Sequence, residues 1–149
     1  MPRKISPRLQ ELVRQRAAFL CEFCHTSEHW QLVPFTVDHL QPVAAGGADN
    51  LENLALACFH CHRRKSSRQS VIETGSTVAT PLFNPRQMPW AEHFIWSADG
   101  LYLLPQSETG RVTIDLLDPN RAGKHRNRRP RVEICLYRND PLIRTQDYR

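Results

Sequence analysis

Residues 36–66 read TVDHLQPVAAGGADNLENLALACFHCHRRKS, and this stretch decides the fold that the sequence predicts. The chain around its start, residues 31–40, is rich in β-branched and aromatic side chains. This composition predicts a strand, with Pro34 placing its beginning at a sheet edge. Asp38 and His39 fall at the end of that strand. Because neighbouring strand residues point to opposite faces, the two side chains can share one site only if the strand ends or bulges there.

The rest of the quoted stretch predicts a turn and a helix. Pro42 and the Gly46-Gly47 pair favour a chain reversal, and residues 50–54 lead into a second short segment. Residues 55–65 resemble the opening of a helix. The predicted order is therefore strand, loop, short strand and helix, which is a ββα unit.

A helix is also predicted before this unit. Ser6 is a favourable N-cap residue, and Pro7 follows it in the first turn, where its missing N–H costs nothing. Residues 8–18 then place Leu9, Leu12 and Val13 on one mostly apolar face. This helix would deliver the chain into the first cysteine pair.

Length and composition predict one globular domain with attachments. The chain has 149 residues, of which 40% are hydrophobic and 23% charged, and these are ordinary values for a globular domain. No apolar run approaches the roughly 20 residues that a membrane helix needs, and charges interrupt the N-terminus where a signal peptide needs an apolar stretch. We therefore expect a cytoplasmic protein in a reducing compartment that does not span or bind a membrane.

Two CxxC pairs predict a structural zinc site. Cys21 and Cys24 form the first pair, Cys58 and Cys61 the second, and Cys135 has no partner pair. Paired CxxC motifs in a reducing compartment are typical of metal ligands rather than disulfides. Four thiolates fill a tetrahedral zinc site, so this metal would close a loop and would not activate water.

The basic charge is concentrated at the two ends of the chain. Net charge is +4 over residues 1–20, −5 over residues 21–120 and +6 over residues 121–149. Such ends suit a polyanion, because lysine and arginine on phosphates release condensed counterions. Solvated tails without a partner remain the alternative interpretation.

Several spaced motifs resemble the zinc-knuckle branch of the HNH endonucleases. They are Val37-Asp38-His39-Leu40-Gln41-Pro42, Gly46-Gly47, Asn50-Leu51-Glu52-Asn53-Leu54 and Cys58-x-x-Cys61-His62-x-x-Lys65. The resemblance covers residues 17–66, about a third of the chain. It implies a ββα-metal hairpin that hydrolyses nucleic-acid phosphodiesters with one divalent cation.

The resemblance also implies roles for individual residues. Asp38 and His62 would hold the catalytic cation, and His39 would be the general base, which suits a side chain whose ordinary pKa lies near neutrality. Asn53 would support the loop that carries His39. Mg²⁺ or Mn²⁺ is the expected cation, although an imidazole ligand also suits Ni²⁺ or Zn²⁺.

Two basic segments are candidates for nucleic-acid contact. Lys65, Arg63 and Arg64 lie in the first turns of the predicted helix, where cations can meet the scissile phosphate or its neighbour. Residues 121–131 form a second basic run. Its candidate phosphate-binding residues are Lys124, Arg126, Arg128 and Arg129.

The C-terminal half predicts a small antiparallel β-layer. Strand candidates are residues 93–97, 101–104 and 111–116, with a further one at 132–137, separated by turn sequences such as Ala98-Asp99-Gly100. Its aromatic residues, Trp90, Phe94 and Trp96, suit either a small core, which we favour, or stacking on bases. This half is also similar to a tail found behind the catalytic unit in some bacterial HNH proteins, through residues 82–86, residues 90–96 and Gly110-Arg111-x-Thr113.

Together these observations predict an α+β fold. Residues 1–70 would form an HNH nuclease domain with zinc knuckles, and residues 71–149 would form a β-rich, basic extension packed on it. The predicted function is a metal-dependent DNA endonuclease that acts as a monomer or homodimer, with duplex rather than single-stranded DNA as the expected partner. Two non-catalytic alternatives remain. One is a zinc-knuckle module that only binds nucleic acid, and the other is an assembly factor whose basic tail meets an acidic protein.

Overall fold

A computed structural model describes residues 4–121, and the predicted strand at 132–137 and most of the basic run lie outside the described residues. The described chain mixes short helices with two-stranded antiparallel sheets, as the predicted α+β class requires. Its helices are α1 (Pro7–Arg16), α2 (Phe59–Lys65), α3 (Trp90–His93) and α4 (Glu108–Leu117). Its strands are β1 (Thr36–His39), β2 (Leu54–Ala57), β3 (Ser70–Ile72), β4 (Ala79–Pro81), β5 (Phe94–Trp96) and β6 (Leu103–Pro105).

Helix α1 begins where the sequence predicts. The Ser6 hydroxyl accepts a hydrogen bond from the Leu9 amide at 3.3 Å, and Pro7 occupies the first turn. These contacts satisfy one of the amides that every helix start leaves open. Val13 is fully buried in the main core, whereas Leu12 is exposed, so the apolar face of α1 is narrower than predicted.

Strands β1 and β2, followed by α2, form the predicted ββα unit, with two corrections to its boundaries. The first strand covers only Thr36–His39, because only these residues pair with β2, and Leu32 is fully exposed. Residues 55–57 belong to β2 rather than to the helix, which begins after Cys58. All four β2 residues are buried, since the strand is covered by both α1 and α2.

The residues after α2 extend the same core. Phe83, Trp90 and Phe94 are buried and pack among one another, with ring centroids 5.1 Å apart for Phe83 and Phe94 and 5.3 Å apart for Trp90 and Phe94. The Trp90 indole donates to the Phe23 carbonyl at 3.0 Å. These contacts confirm the predicted core role of Trp90 and Phe94, because buried rings are closed to base stacking. Trp96 is partly buried and lies 5.8 Å from Trp90, measured between ring centroids.

The predicted C-terminal β-layer is correct for two strands and wrong for the third. Strands β5 and β6 pair with Phe94 opposite Pro105, but residues 111–116 lie in α4. The β-branched run Val112-Thr113-Ile114 favoured a strand. The helix prevails because the Ser107 hydroxyl caps it by accepting from the Gly110 amide at 2.9 Å, and because its apolar face is buried.

Helix α4 packs closely against α3 at a glycine. A Cβ on Gly110 would overlap the His93 carbonyl oxygen, so only glycine fits this contact. None of the helices among residues 4–121 is long and apolar enough to span a membrane.

We predict that Gly110→Ala lowers the free energy of unfolding by about 1–3 kcal/mol, because the added methyl pushes α4 away from α3. Chemical denaturation measures the change. Asp115→Ala on the exposed face of the same helix is the matched control and should change stability by less than about 0.5 kcal/mol. Equal stability of the two variants would contradict the close contact.

Candidate active site and zinc centre

Four buried cysteines meet where the chain enters and leaves the ββα unit. The ligand atoms of Cys21, Cys24, Cys58 and Cys61 all lie within 4.8 Å of one another. Cys24 Sγ and Cys58 Sγ are 3.9 Å apart, close to the roughly 3.8 Å between sulfurs bound tetrahedrally at 2.3 Å from zinc. The cluster therefore has the spacing of the predicted four-cysteine zinc site.

Local backbone structure places these sulfurs. The first pair sits on a tight turn closed by a hydrogen bond from the His25 amide to the Cys21 carbonyl, and His25 has a left-handed φ of 55°. The second pair opens α2, where Cys58 is the N-cap and its sulfur accepts from the Cys61 amide at 3.4 Å. The His25 ring stacks on Trp90 with centroids 4.0 Å apart, which anchors the turn to the C-terminal half.

The chemistry of the four thiols also fits a bound cation. Burial raises the pKa of Cys21, and hydrogen bonding among the sulfurs raises the pKa of Cys61. The pKa of Cys58, in contrast, is lowered, because Cys58 hydrogen bonds with the Cys21 thiol. Four buried thiolates therefore need a positive charge between them, which Zn²⁺ supplies on binding while protons are released.

A second cluster lies where β1 ends. Asp38 is buried, and its Oδ1 is 3.2 Å from the Nδ1 of His62, which α2 carries across the hairpin. Two ligands about 2.1 Å from one cation and at right angles to each other are about 3.0 Å apart, so this spacing suits a shared metal. The hydrogen bond that His62 donates to the Asp38 carboxylate raises the pKa of His62.

Lys65 contacts the other oxygen of Asp38, and its position differs from the surface position that the sequence predicts. The Lys65 ammonium is 2.9 Å from Asp38 Oδ2, and its side chain is only 4% exposed. This oxygen is buried and accepts no well-directed hydrogen bond. Lys65 therefore faces the interior beside a candidate metal ligand, rather than the surface position expected for phosphate contact.

His39 meets a partner that the sequence interpretation missed. Its Nε2 lies 2.7 Å from Asp49 Oδ1, and both side chains are mostly buried. Strand β1 ends at His39, as the sequence requires if Asp38 and His39 are to share one site. The sequence does place a carboxylate, Asp49, two residues after the Gly46-Gly47 turn. Sequence spacing alone, however, does not show which loop carboxylate contacts His39.

Asn53 ties the intervening loop together. Its amide oxygen accepts from the Gln41 amide at 2.8 Å, and its Nδ2 donates to the carbonyls of Gln41 and Ala48, each at 3.0 Å. A Cβ on Gly47 would overlap the Gln41 carbonyl, so the loop closes only with glycine there. Asn53 thus bridges the segment just after His39 to the residue before Asp49.

Three of the side chains described above, Asp38, His39 and His62, line an open cleft of about 400 Å³. Its lining includes Asp38, His39, His62, Phe59 and Arg63. Arg63 lies over the Phe59 ring, 6.0 Å from its centroid. Arg64 does not line the cleft, since its Nε donates to the Leu116 carbonyl at 2.8 Å. The other predicted phosphate-binding residues, Lys124, Arg126, Arg128 and Arg129, lie outside the described residues.

We predict that the two clusters are separable. Cys58→Ala should abolish stoichiometric zinc binding and cooperative thermal unfolding, because zinc binding supplies folding free energy. Asp38→Ala should keep one zinc per chain. Metal analysis of the purified variants, with calorimetry, checks both outcomes, and equal zinc loss in the two variants would show that the clusters are not independent.

Comparison with known families agrees with this geometry. Residues 21–68 match the family model described as HNH endonuclease. The chain matches no curated protein and no solved structure. The matched segment contains the four cysteines, both strands of the hairpin, α2 and the cleft residues Asp38, His39 and His62. This segment, about a third of the chain, is therefore similar to the HNH endonuclease family.

Proposed function

We propose that the protein is a metal-dependent DNA endonuclease that hydrolyses phosphodiester bonds in the cleft at the end of β1. The observation that carries this proposal is that Asp38, His62 and His39 line one cleft, with Asp38 in contact with His62 and His39 in contact with Asp49. The first pair offers cation ligands, and the second offers an oriented base. Phosphodiester hydrolysis needs both functions within reach of one phosphorus.

Asp38 and His62 would hold the catalytic cation. Oδ1 of Asp38 lies 3.2 Å from Nδ1 of His62, which supports a cation shared by these two side chains, whereas Oδ2 is paired with the Lys65 ammonium. A bound divalent cation stabilises negative charge on the phosphate and on the departing oxygen. Mg²⁺ or Mn²⁺ is proposed, and the His62 imidazole also accommodates Ni²⁺ or Zn²⁺.

His39 would remove the proton from the attacking water. Since Nε2 is bound to Asp49, Nδ1 is the nitrogen left to accept it. As the water oxygen bonds to phosphorus, the phosphodiester P–O bond breaks and the departing oxygen takes a proton from solvent. Histidine is the side chain that most often serves as a general base in enzymes.

Asp49 and Asn53 would position this base. Asp49 fixes the ring orientation by holding Nε2, and its carboxylate balances the charge that His39 gains. Asn53 acts one step further away, because its three hydrogen bonds hold the loop from Gln41 to Ala48 that presents Asp49. Lys65 would hold the Asp38 carboxylate in place through its buried ion pair.

Duplex DNA is the proposed substrate, and the chain is proposed to act as a monomer or homodimer in the reducing cytoplasm. Arg63 supports nucleic-acid binding, since it is exposed and lines the cleft beside the candidate metal ligands. Guanidinium groups bind phosphate oxygens in bidentate fashion. The four buried cysteines of the zinc cluster support a reducing compartment, because their thiols must remain reduced to bind metal.

We predict that His39→Ala lowers the rate of plasmid nicking by about 10²–10⁴-fold in the presence of Mg²⁺ or Mn²⁺, because the water loses its base. His29→Ala removes an exposed histidine outside the cleft and should nick at the wild-type rate. Gel analysis of supercoiled, nicked and linear plasmid gives the rates. If wild type and His39→Ala behave alike, the nuclease assignment fails and a purely binding zinc module remains.

We also predict that Asp49→Asn lowers kcat by about 10–100-fold while DNA affinity, zinc content and melting temperature stay unchanged. The reason is that the substitution alters the partner of His39 without removing a group that touches DNA. Glu52→Gln removes a nearby exposed charge that does not contact His39 and serves as control. A loss confined to DNA affinity would rule out the positioning role.

A further inference from the structure

A strongly basic groove adjoins the active-site cleft. It has a volume of about 560 Å³, and Phe59 and Arg63 line both the groove and the cleft. The remaining arginines of the groove are Arg64, Arg68 and Arg121, and no acidic side chain of the described residues lines it. We refer to this surface as the arginine groove.

The arginine groove collects most of the unpaired positive charge in the described chain. Within residues 4–121, six cations form no ion pair with a described carboxylate: Lys4, Arg8, Arg63, Arg64, Arg68 and Arg121. Four of these six line the groove. Like charges held together without counter-charges repel one another, so their clustering points to an anionic ligand.

The C-terminal half builds one wall of the groove. His60 Nε2 hydrogen bonds to the carbonyls of Leu117 and Asp118, at 2.7 and 3.1 Å, and Arg64 Nε donates to the Leu116 carbonyl. These bonds satisfy carbonyls that the end of α4 would otherwise leave open. They also fix α4 beside α2, while the terminal nitrogens of Arg64 have no protein partner among the described residues.

The end of α4 places Arg121 in this groove. Asp118 has a left-handed φ of 49° and ends the helix, and the Arg121 amide bonds back to the Asp118 carbonyl at 3.3 Å. Arg121 is also the first residue of the segment 121–149, which carries nine Arg or Lys against three acidic residues. The basic C-terminal sequence thus begins inside the groove.

We propose that the arginine groove binds the phosphate backbone of duplex DNA beside the phosphodiester that is cut, and that forming this groove is the role of the C-terminal half. The inference rests on the proposed nuclease function and adds the binding site for flanking DNA. Backbone contact is favoured over base stacking because Phe59 is the only aromatic ring other than His60 among the described lining residues, and Arg63 covers it. Contacts to phosphates position a duplex without reading its sequence.

The test measures binding separately from cutting. In full-length protein carrying His39→Ala, fluorescence anisotropy with a labelled 30-base-pair duplex is recorded over a range of salt concentrations. Adding Arg68→Ala and Arg121→Ala should lower the slope of log affinity against log salt by about 1.8, since each lost phosphate contact removes about 0.9. If the alanine variant and its parent bind DNA equally at 1 M salt, this difference in slope makes the variant bind about 60-fold more weakly than the parent at 0.1 M salt.

The control variant removes two exposed, unpaired cations from the other end of the chain, Lys4→Ala with Arg8→Ala. An equal loss of DNA affinity in this variant would overturn the groove proposal, since affinity would then depend on the total charge of the protein rather than on the groove. Arg68→Lys with Arg121→Lys should retain the slope, and melting temperature and zinc content should match those of the parent. An unchanged slope in the alanine variant, or tighter binding of a single strand of the same length, would also overturn the proposal.

Failure of the nuclease function would have a different signature. If wild type binds duplex DNA through the groove but does not nick plasmid with Mg²⁺ or Mn²⁺, the nuclease proposal fails and groove binding stands. If wild type nicks plasmid, and Arg68→Ala with Arg121→Ala made in the wild-type background binds and nicks equally well, the groove proposal fails and the nuclease proposal stands.

Discussion

The cluster of four sulfurs is the constraint on which the rest of the structure depends. It joins the turn at Cys21–Cys24 to the first turn of α2. Helix α2 has only seven residues, too few to be stable alone. Its position therefore depends on the sulfurs at its start and on packing against β1, β2 and α4. Once α2 is fixed, His62 and Lys65 both reach Asp38 without any flexible segment between them.

Local structure around Asp38 shows how a small core supports a charged site. Asp38 is buried, and burial of a lone carboxylate is costly. The Lys65 ammonium offsets that cost from one side and His62 faces the other oxygen. The same contacts fix the carboxylate at the end of β1, where backbone pairing with β2 already restricts it. Charge pairing therefore holds this carboxylate in addition to the backbone pairing of the strand.

Much of the hairpin could be predicted because its residue types have few other uses at this spacing. The cysteine pairs indicated the zinc site, and the Asp38-His39 pair with Gly46-Gly47 indicated a strand end and a turn. Lys65 was misjudged, because a lysine in a basic run is ordinarily solvated and only tertiary packing shows its burial. Residues 111–116 were misjudged because tertiary burial and the Ser107 cap overrode β-propensity. The pairing of Asp49 with His39 depends on loop closure by Asn53, which no local pattern encodes.

Helix α2 contributes residues to three sites, and this has a thermodynamic consequence. It carries two sulfurs of the zinc cluster, His62 of the cleft, and Arg63 and Arg64 of the groove. A ligand that holds one face of α2 therefore favours the arrangement that the other faces need. Linkage of this kind is reciprocal. A chain engaged with DNA would hold its zinc more tightly than a free chain, and by the same free energy zinc would strengthen the hold on DNA.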